Sequence, residues 1–188
     1  MGRFFTDDEK DQLAKKQEVV FFQDYHKYYL EDHTVNPKFR PSGSGMILDL
    51  KEKDMDAIEY FFDYLDELFE KNVSICVVPS HEESSANDSG VARLARILAQ
   101  EGRKDKVNFL LRKTTVEKRA AGGDRSYQSQ RESIKINPDI SVLEDTVIVM
   151  DDVTTTGNSL QACRDILLDA GASHVAMYAI GKTVFEEE

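Results

Sequence analysis

The spacing of apolar residues changes several times along the chain, and each change predicts an element. From Asp54 onward Ile58, Phe61, Phe62, Leu65, Leu68 and Phe69 recur at helical spacing with acidic residues opposite. That pattern predicts an amphipathic helix with its apolar face in the core. After Lys71 the period shifts to a near-continuous run, Ser74 to Pro79, which ends in the polar loop HEESSANDSG. Val91, Leu94, Ala95 and Leu98 then mark a helix, and Val107 to Leu111 form a second buried run. A polar segment follows, with a short strand expected over Glu132 to Ile136. Val147 to Met150 are the third run, followed by DDVTTTGNS and a helix from about Leu160 to Ala170 that Gly171 stops. His174 to Ile180 supply a last strand, and His174 reads as a structural residue.

The first third is less regular. Thr6 and Glu9 have capping-box spacing, with helix-favouring residues through Lys16. An aromatic-rich stretch starts at Val19, a Pro- and Gly-containing loop or hairpin region follows, and Met46 to Leu50 read as a short strand. Apolar runs without alternation, separated by amphipathic helices, argue for a parallel sheet covered on both faces. The expected architecture is a doubly wound α/β core over residues 72–188. Residues 1–71 form an N-terminal helical and aromatic extension that carries the amphipathic helix.

Composition narrows the function classes. With 188 residues, 40 % apolar and 31 % charged, the chain can bury a core as one domain and is not disordered over most of its length. No apolar run approaches the roughly 18 residues of a spanning helix. The first ten residues lack an apolar stretch, so no secretory signal is expected. Lys plus Arg number 24 against 35 Asp plus Glu, a net charge of −11. Without a strongly basic face, nucleic acid and anionic membranes are not expected partners. Anionic small molecules remain open, because local amides and side chains set a pocket. Cys76 and Cys163 lie in apolar patterns, read as buried hydrophobes and point to a reducing, cytoplasmic setting.

Chemistry concentrates in VIVMDDVTTTGNSL. In a doubly wound sheet, ligands bind beyond the carboxyl ends of the strands. Asp151 and Asp152 follow the buried Val147–Met150 run. Their mutual repulsion is offset by a sugar diol or by Mg²⁺ held through water. Thr154, Thr155, Thr156, Gly157, Asn158 and Ser159 then run into a helix. Hydroxyl donors, a permissive glycine and helix amides suit a phosphate monoester. A diol binder beside a phosphate binder implies a ribose 5-phosphate moiety.

This segment resembles the phosphoribosyl pyrophosphate (PRPP) signature of type I phosphoribosyltransferases. AGASHVAMYAIGKT resembles the strand after the motif helix in competence-protein-F-like members, and VVPSH and GGDRS fit the same group. The resemblance covers roughly residues 72 to 183. It implies that Asp151 and Asp152 contact the ribose hydroxyls and position Mg²⁺ through water, and that Thr154 to Ser159 bind the 5′-phosphate. It further implies a pyrophosphate loop over about Pro79 to Gly90, with Ser80, His81, Ser84, Ser85, Ser89 and Gly90 as contacts. That loop departs from the pattern: Lys or Arg is common in it, whereas here His81 stands beside Glu82 and Glu83.

Lys113 to Arg131 correspond to the mobile loop over such sites, with Lys118, Arg119 and Arg125 as its cations and Gly122 and Gly123 as its hinge. Arg112 and Lys182 are lesser candidates. The implied reaction is displacement of pyrophosphate from PRPP by a nitrogen nucleophile, such as a base. A hood over the acceptor would come from the N-terminal part, where Tyr25, His26, Tyr28 and Tyr29 either stack on it or pack against the domain. A homodimer is expected by analogy. The alternatives are a non-catalytic sensor of PRPP or a nucleotide and, behind it, a scaffold.

Overall fold

The computed structural model describes residues 18–80, 87–113, 126–140 and 146–185. The aromatic stretch after Val19 forms β1 (Val20–Tyr25), followed by α1 (Ser44–Lys51) and α2 (Met55–Leu68). The chain continues through β2 (Ser74–Val77), α3 (Gly90–Gln100), β3 (Lys104–Asp105) and β4 (Leu110–Arg112). It ends with α4 (Tyr127–Ser133), β5 (Ile134–Ile136), β6 (Thr146–Thr154), α5 (Asn158–Asp169) and β7 (His174–Thr183).

Five of these strands make one sheet in the order β1-β7-β6-β2-β3, and every neighbouring pair is parallel. The expected α/β class with a mainly parallel sheet is the one observed. From β2 the chain passes through α3 to β3 on one side; from β6 it passes through α5 to β7 on the other. The order therefore reverses between β2 and β6, where Ile75 pairs with Ile148 and Val77 with Met150. A crevice at the carboxyl ends of these two strands follows from that reversal.

Alternation along the buried strands divides the core. Ile75, Val77, Ile148, Met150 and Ile180 share one cluster with Ile47 and Leu50 of α1, Ile58, Phe61 and Leu65 of α2, and Leu94 and Leu98 of α3. Cys76, Val147, Val149, Val175 and Met177 face Leu160, Cys163 and Leu167 of α5. Period-two alternation with both faces covered explains why these strands read as unbroken apolar runs. The segment before residue 72 contributes β1 to the sheet edge, with Val20 opposite Tyr178, and α1 and α2 to the same core. Asp54 caps α2 by accepting from the amides of Asp56 and Ala57.

Several local expectations are corrected. Met46 to Leu50 are helical: Ser44, Ile47 and Leu50 are buried at helical spacing, and Gly43 opens the helix at φ 76°. Val107 to Leu111 do not add a strand to the parallel sheet, because exposed Lys104 and Asp105 take that edge. Val107 and Phe109 fill the core from a turn, and β4 pairs antiparallel with β5 in a separate ribbon. The far end of the expected mobile segment, Tyr127 to Arg131, belongs to α4, which Tyr127 Oη ties to Asp165 Oδ2 of α5 at 2.6 Å. His174 is exposed at the start of β7. The N-terminal helix expected after Thr6 lies outside the described residues.

Candidate functional site

A cleft of about 450 Å³ opens at the topological switch point. It is lined from β2 and its exit by Val78, Pro79 and Ser80, and from the entry to α3 by Ser89 and Val91. Asp151, Asp152, Val153, Thr155 and Ser159 line it from β6 and the start of α5. Sequence-distant residues complete it: Lys51 from α1, Arg112 from β4 and Gln130 from α4.

The two aspartates do not follow the strand, as expected, but lie within it. β6 continues to Thr154, which pairs with Lys182 of β7. The carboxylates are half-buried, and each accepts the next residue's amide: Asp152 N donates to Asp151 Oδ1 at 2.9 Å, and Val153 N to Asp152 Oδ1 at 2.5 Å. Asp152 Oδ2 also faces the Lys51 ammonium at 3.3 Å. Strand alternation places Asp151 with Val149 and Asp152 with Met150, the side on which α1 packs. The two carboxylates therefore leave the strand toward opposite faces of the sheet, and both line the cleft.

The threonine turn is built at the amino end of α5. Thr154 is buried, Thr155 Oγ1 lies 3.2 Å from Thr183 Oγ1, and Thr156 is exposed with its Oγ1 3.5 Å from the Asn158 amide. Gly157 is the N-cap at φ 84° and carries no side chain to bond the first turn. A left-handed residue here turns the chain tightly into the helix, a conformation glycine adopts without strain. Ser159 Oγ donates to Gln130 Oε1 at 3.3 Å. The amino end of α5, with its partial positive charge, thus sits beside the aspartates.

Across the cleft, Ser89 caps α3 by accepting from the Ala92 amide at 3.2 Å. Gly90 is not an open contact. It is buried, and a Cβ on it would stand 1.6 Å from the Leu50 carbonyl oxygen, so it serves close packing of α3 on α1. Asn87 closes the base of this segment: its Nδ2 donates to the Val78 carbonyl and its Oδ1 accepts from the Ser89 amide, both at 3.1 Å. Arg93 and Lys53 hold the Asp88 carboxyl well below the usual carboxylate range, so this acid is already paired.

Arg112 is buried and committed. Its Nε and Nη2 donate to the carbonyls of Ser80 and Pro79 at 3.0 Å, and its Nη1 to Gln130 Oε1 and Ser133 Oγ. It fixes the exit of β2. Lys182 is exposed and lies over the Phe21 ring at 5.0 Å. Arg131 pairs with Asp169. Tyr28 meets Tyr29 and Phe39 edge-on, Tyr25 packs on the core, and His26 is buried with its amide on Ser44 Oγ. Those contacts are the packing alternative for the N-terminal aromatics. Burial pushes both thiols, Cys76 and Cys163, far above their usual range, which leaves them inert.

His81, Ser84, Ser85, Lys118, Arg119 and Arg125, with the hinge at Gly122 and Gly123, lie outside the described residues. Two cleft residues are not singled out by the sequence: Lys51 and Gln130. Each acts through tertiary position, and no local motif marks it.

No family model matches the chain, and no curated protein sequence matches it significantly. Among solved structures, a Staphylococcus aureus hypoxanthine phosphoribosyltransferase is similar at 14 % identity, over 76 % of this chain and 77 % of that one, with a TM-score of 0.41. A purine phosphoribosyltransferase from Pyrococcus horikoshii is similar at 18 % identity over 77 % and 91 %, TM-score 0.39. A Bacillus anthracis hypoxanthine-guanine phosphoribosyltransferase is similar at 12 % identity over 75 % and 80 %, TM-score 0.40. Such values add nothing to the strand order and side-chain geometry above. No helix of the described residues is long and apolar enough to cross a membrane.

Proposed function

We propose that the cleft binds PRPP and that the protein transfers its phosphoribosyl group to a nitrogen nucleophile, such as a base, with release of pyrophosphate. One observation carries this reading: Asp151 and Asp152 share a cleft with the Thr155–Ser159 turn at the amino end of α5. A ribose 5-phosphate needs acceptors for its hydroxyls at one end and donors for its phosphate at the other. This cleft offers both within adjacent residues.

In the proposed reaction the nucleophile's lone pair forms a bond to C1 of the ribose as the C1–oxygen bond to pyrophosphate breaks with its electron pair. The proton on the nucleophile passes to the Asp152 carboxylate or to water. Asp151 and Asp152 orient the sugar by accepting its 2′- and 3′-hydroxyls and face the positive charge that develops on the ring. Thr155, Thr156, Asn158, Ser159 and the helix amides anchor the 5′-phosphate, with Thr154 and Gly157 shaping the turn. Ser80 and Ser89 face the departing pyrophosphate.

Magnesium fits this donor set as a substrate-borne ion. Among the described residues no cluster of three or more His, Cys, Asp or Glu could hold a metal alone. Two carboxylates plus substrate phosphates are, however, a usual Mg²⁺ environment. Asp151 and Asp152 would hold it, and it would neutralise charge on the pyrophosphate. His81, Lys118, Arg119 and Arg125 belong to the proposal as ligand contacts and closing cations.

A screen of bases and amines with PRPP and Mg²⁺, reading released pyrophosphate, tests the assignment. Release that depends on one acceptor class supports transfer. The acidic pair Glu82 and Glu83 in the 79–90 segment favours a second reading, a PRPP- or nucleotide-sensing regulator. Tight PRPP binding with no release for any acceptor selects that reading.

A further inference from the structure

We propose that Lys51 is the cation that meets the diphosphate of the substrate, its ammonium moving from Asp152 to the phosphate oxygens when ligand enters. The inference rests on the PRPP reading above and names a residue outside the motif that suggested it.

The need for a cation is set by charge. A diphosphate entering this cleft meets two carboxylates in a protein of net charge −11. The segment that runs from β2 to α3, PSHEESSANDSG, contains neither Lys nor Arg. Lys51 and Arg112 are the cations among the described residues lining the cleft. Arg112 is buried, and its nitrogens already donate to the Pro79 and Ser80 carbonyls, Gln130 and Ser133. Turning it toward a ligand would strip those oxygens of their donors.

Lys51 is placed differently. It ends α1, and its side chain is 34 % exposed. Its ammonium sits 3.3 Å from Asp152 Oδ2 and 5.8 Å from the Tyr25 ring centre. That carboxylate contact is longer than a tight charge-assisted hydrogen bond of roughly 2.7–2.9 Å. A four-carbon stem lets the charge swing by several ångströms at little cost. Its position is fixed by backbone: the preceding residue, Leu50, presents its carbonyl to Gly90 so closely that no side chain fits there. Lys51 therefore stands where the lysine-free segment enters α3.

The swing keeps charges paired in both states. Without ligand, Lys51 balances Asp152. With a diphosphate bound, Lys51 balances phosphate, and Asp152 is released to accept a ribose hydroxyl. A ligand that has the sugar phosphate but lacks the diphosphate must instead compete with Lys51 for Asp152. Lys51 thus selects for the diphosphate form, and removing it should weaken PRPP binding without weakening that of ribose 5-phosphate.

Isothermal titration calorimetry of the full chain with Mg²⁺ separates the cases, using PRPP and ribose 5-phosphate on wild type, Lys51→Gln and Lys51→Arg. The expected result is PRPP binding weakened roughly 10- to 100-fold in Lys51→Gln and largely restored in Lys51→Arg. Ribose 5-phosphate binding should be unchanged or tighter in Lys51→Gln, which also shows that the variant is folded. PRPP affinity equal to wild type in Lys51→Gln overturns the role of Lys51 alone. Parallel loss of both ligands overturns it too. Wild type that binds neither compound fails the PRPP reading itself, and this proposal with it.

Discussion

The carbonyl oxygen of Leu50 occupies the space in which a side chain on Gly90 would stand, 1.6 Å from the ideal Cβ position. This contact locks the end of α1 to the start of α3 and so sets one wall of the cleft. Gly90→Ala cannot be absorbed by rotating a side chain, since the obstacle is backbone. The expected cost is about 3 kcal/mol or more, at the upper end for overpacking. A fall in melting temperature of roughly 6–12 °C follows for a chain of this size. Calorimetry of the variant checks it, and an unchanged midpoint contradicts the packing.

Gly157→Ala meets a different obstacle. Its φ of 84° lies in the left-handed region, and a Cβ would come within 3.2 Å of Val19 Cγ2. The strain of a left-handed alanine is about 1–2 kcal/mol. Because the turn also presents the amino end of α5, ribose 5-phosphate affinity should fall along with stability. Paired unfolding and binding titrations read both effects.

Asp151→Asn and Asp152→Asn keep the side-chain oxygen that accepts the neighbouring amide but remove the charge. Pyrophosphate release should drop by about two orders of magnitude or more in each, if the carboxylates stabilise charge developing on the sugar. Steady-state kinetics with the acceptor found in the screen measures this. Full turnover in both variants defeats the assignment.

Part of the acid response of stability should trace to Asp66, a site apart from the cleft. Arg103 is buried and donates to the Asp66 carboxylate and to the carbonyls of Asp66, Phe69, Glu70 and Leu98. Hydrogen bonds from Lys71 and Arg103 hold the Asp66 carboxyl below its ordinary value. A lowered carboxylate pKa stabilises the fold above the unfolded-state value, and that stabilisation is lost as pH falls through the folded-state value. Wild type should therefore lose stability below about pH 4, and Asp66→Asn should be less stable at neutral pH with a flatter acid limb. Arg103→Met should cost roughly 3 kcal/mol or more at neutral pH, since it orphans several buried oxygens. Urea unfolding between pH 3 and 7 tests all three.

The parts legible in the sequence were those where one period dominates. β2, β6 and β7 are buried on both faces, so Ser74–Val77, Val147–Met150 and His174–Ile180 stood out as apolar runs. α2 and α3 stood out by their apolar stripes. The stretch MILDL misled because Ile and Leu suit both periods; burial at Ser44, Ile47 and Leu50 reveals the helix only once the sheet beneath it is known. β3 has two exposed residues and no apolar signal to read. At the site, the DDVTTTGNS run was visible because its residues are consecutive. Lys51 and Gln130 were not, because packing rather than spacing brings them to the cleft.

In the proposed function the switch-point cleft holds a ribose 5-phosphate between the β6 aspartates and the α5 turn. Titrating isotopically labelled protein with ribose 5-phosphate and following backbone amide resonances tests it most directly. Saturable shifts should be largest at Asp151, Asp152 and Thr155–Leu160, which line or adjoin the cleft, and small across Met55–Leu68, none of which lines it. Saturable binding with its largest shifts elsewhere, or no shifts at millimolar ligand, would contradict it.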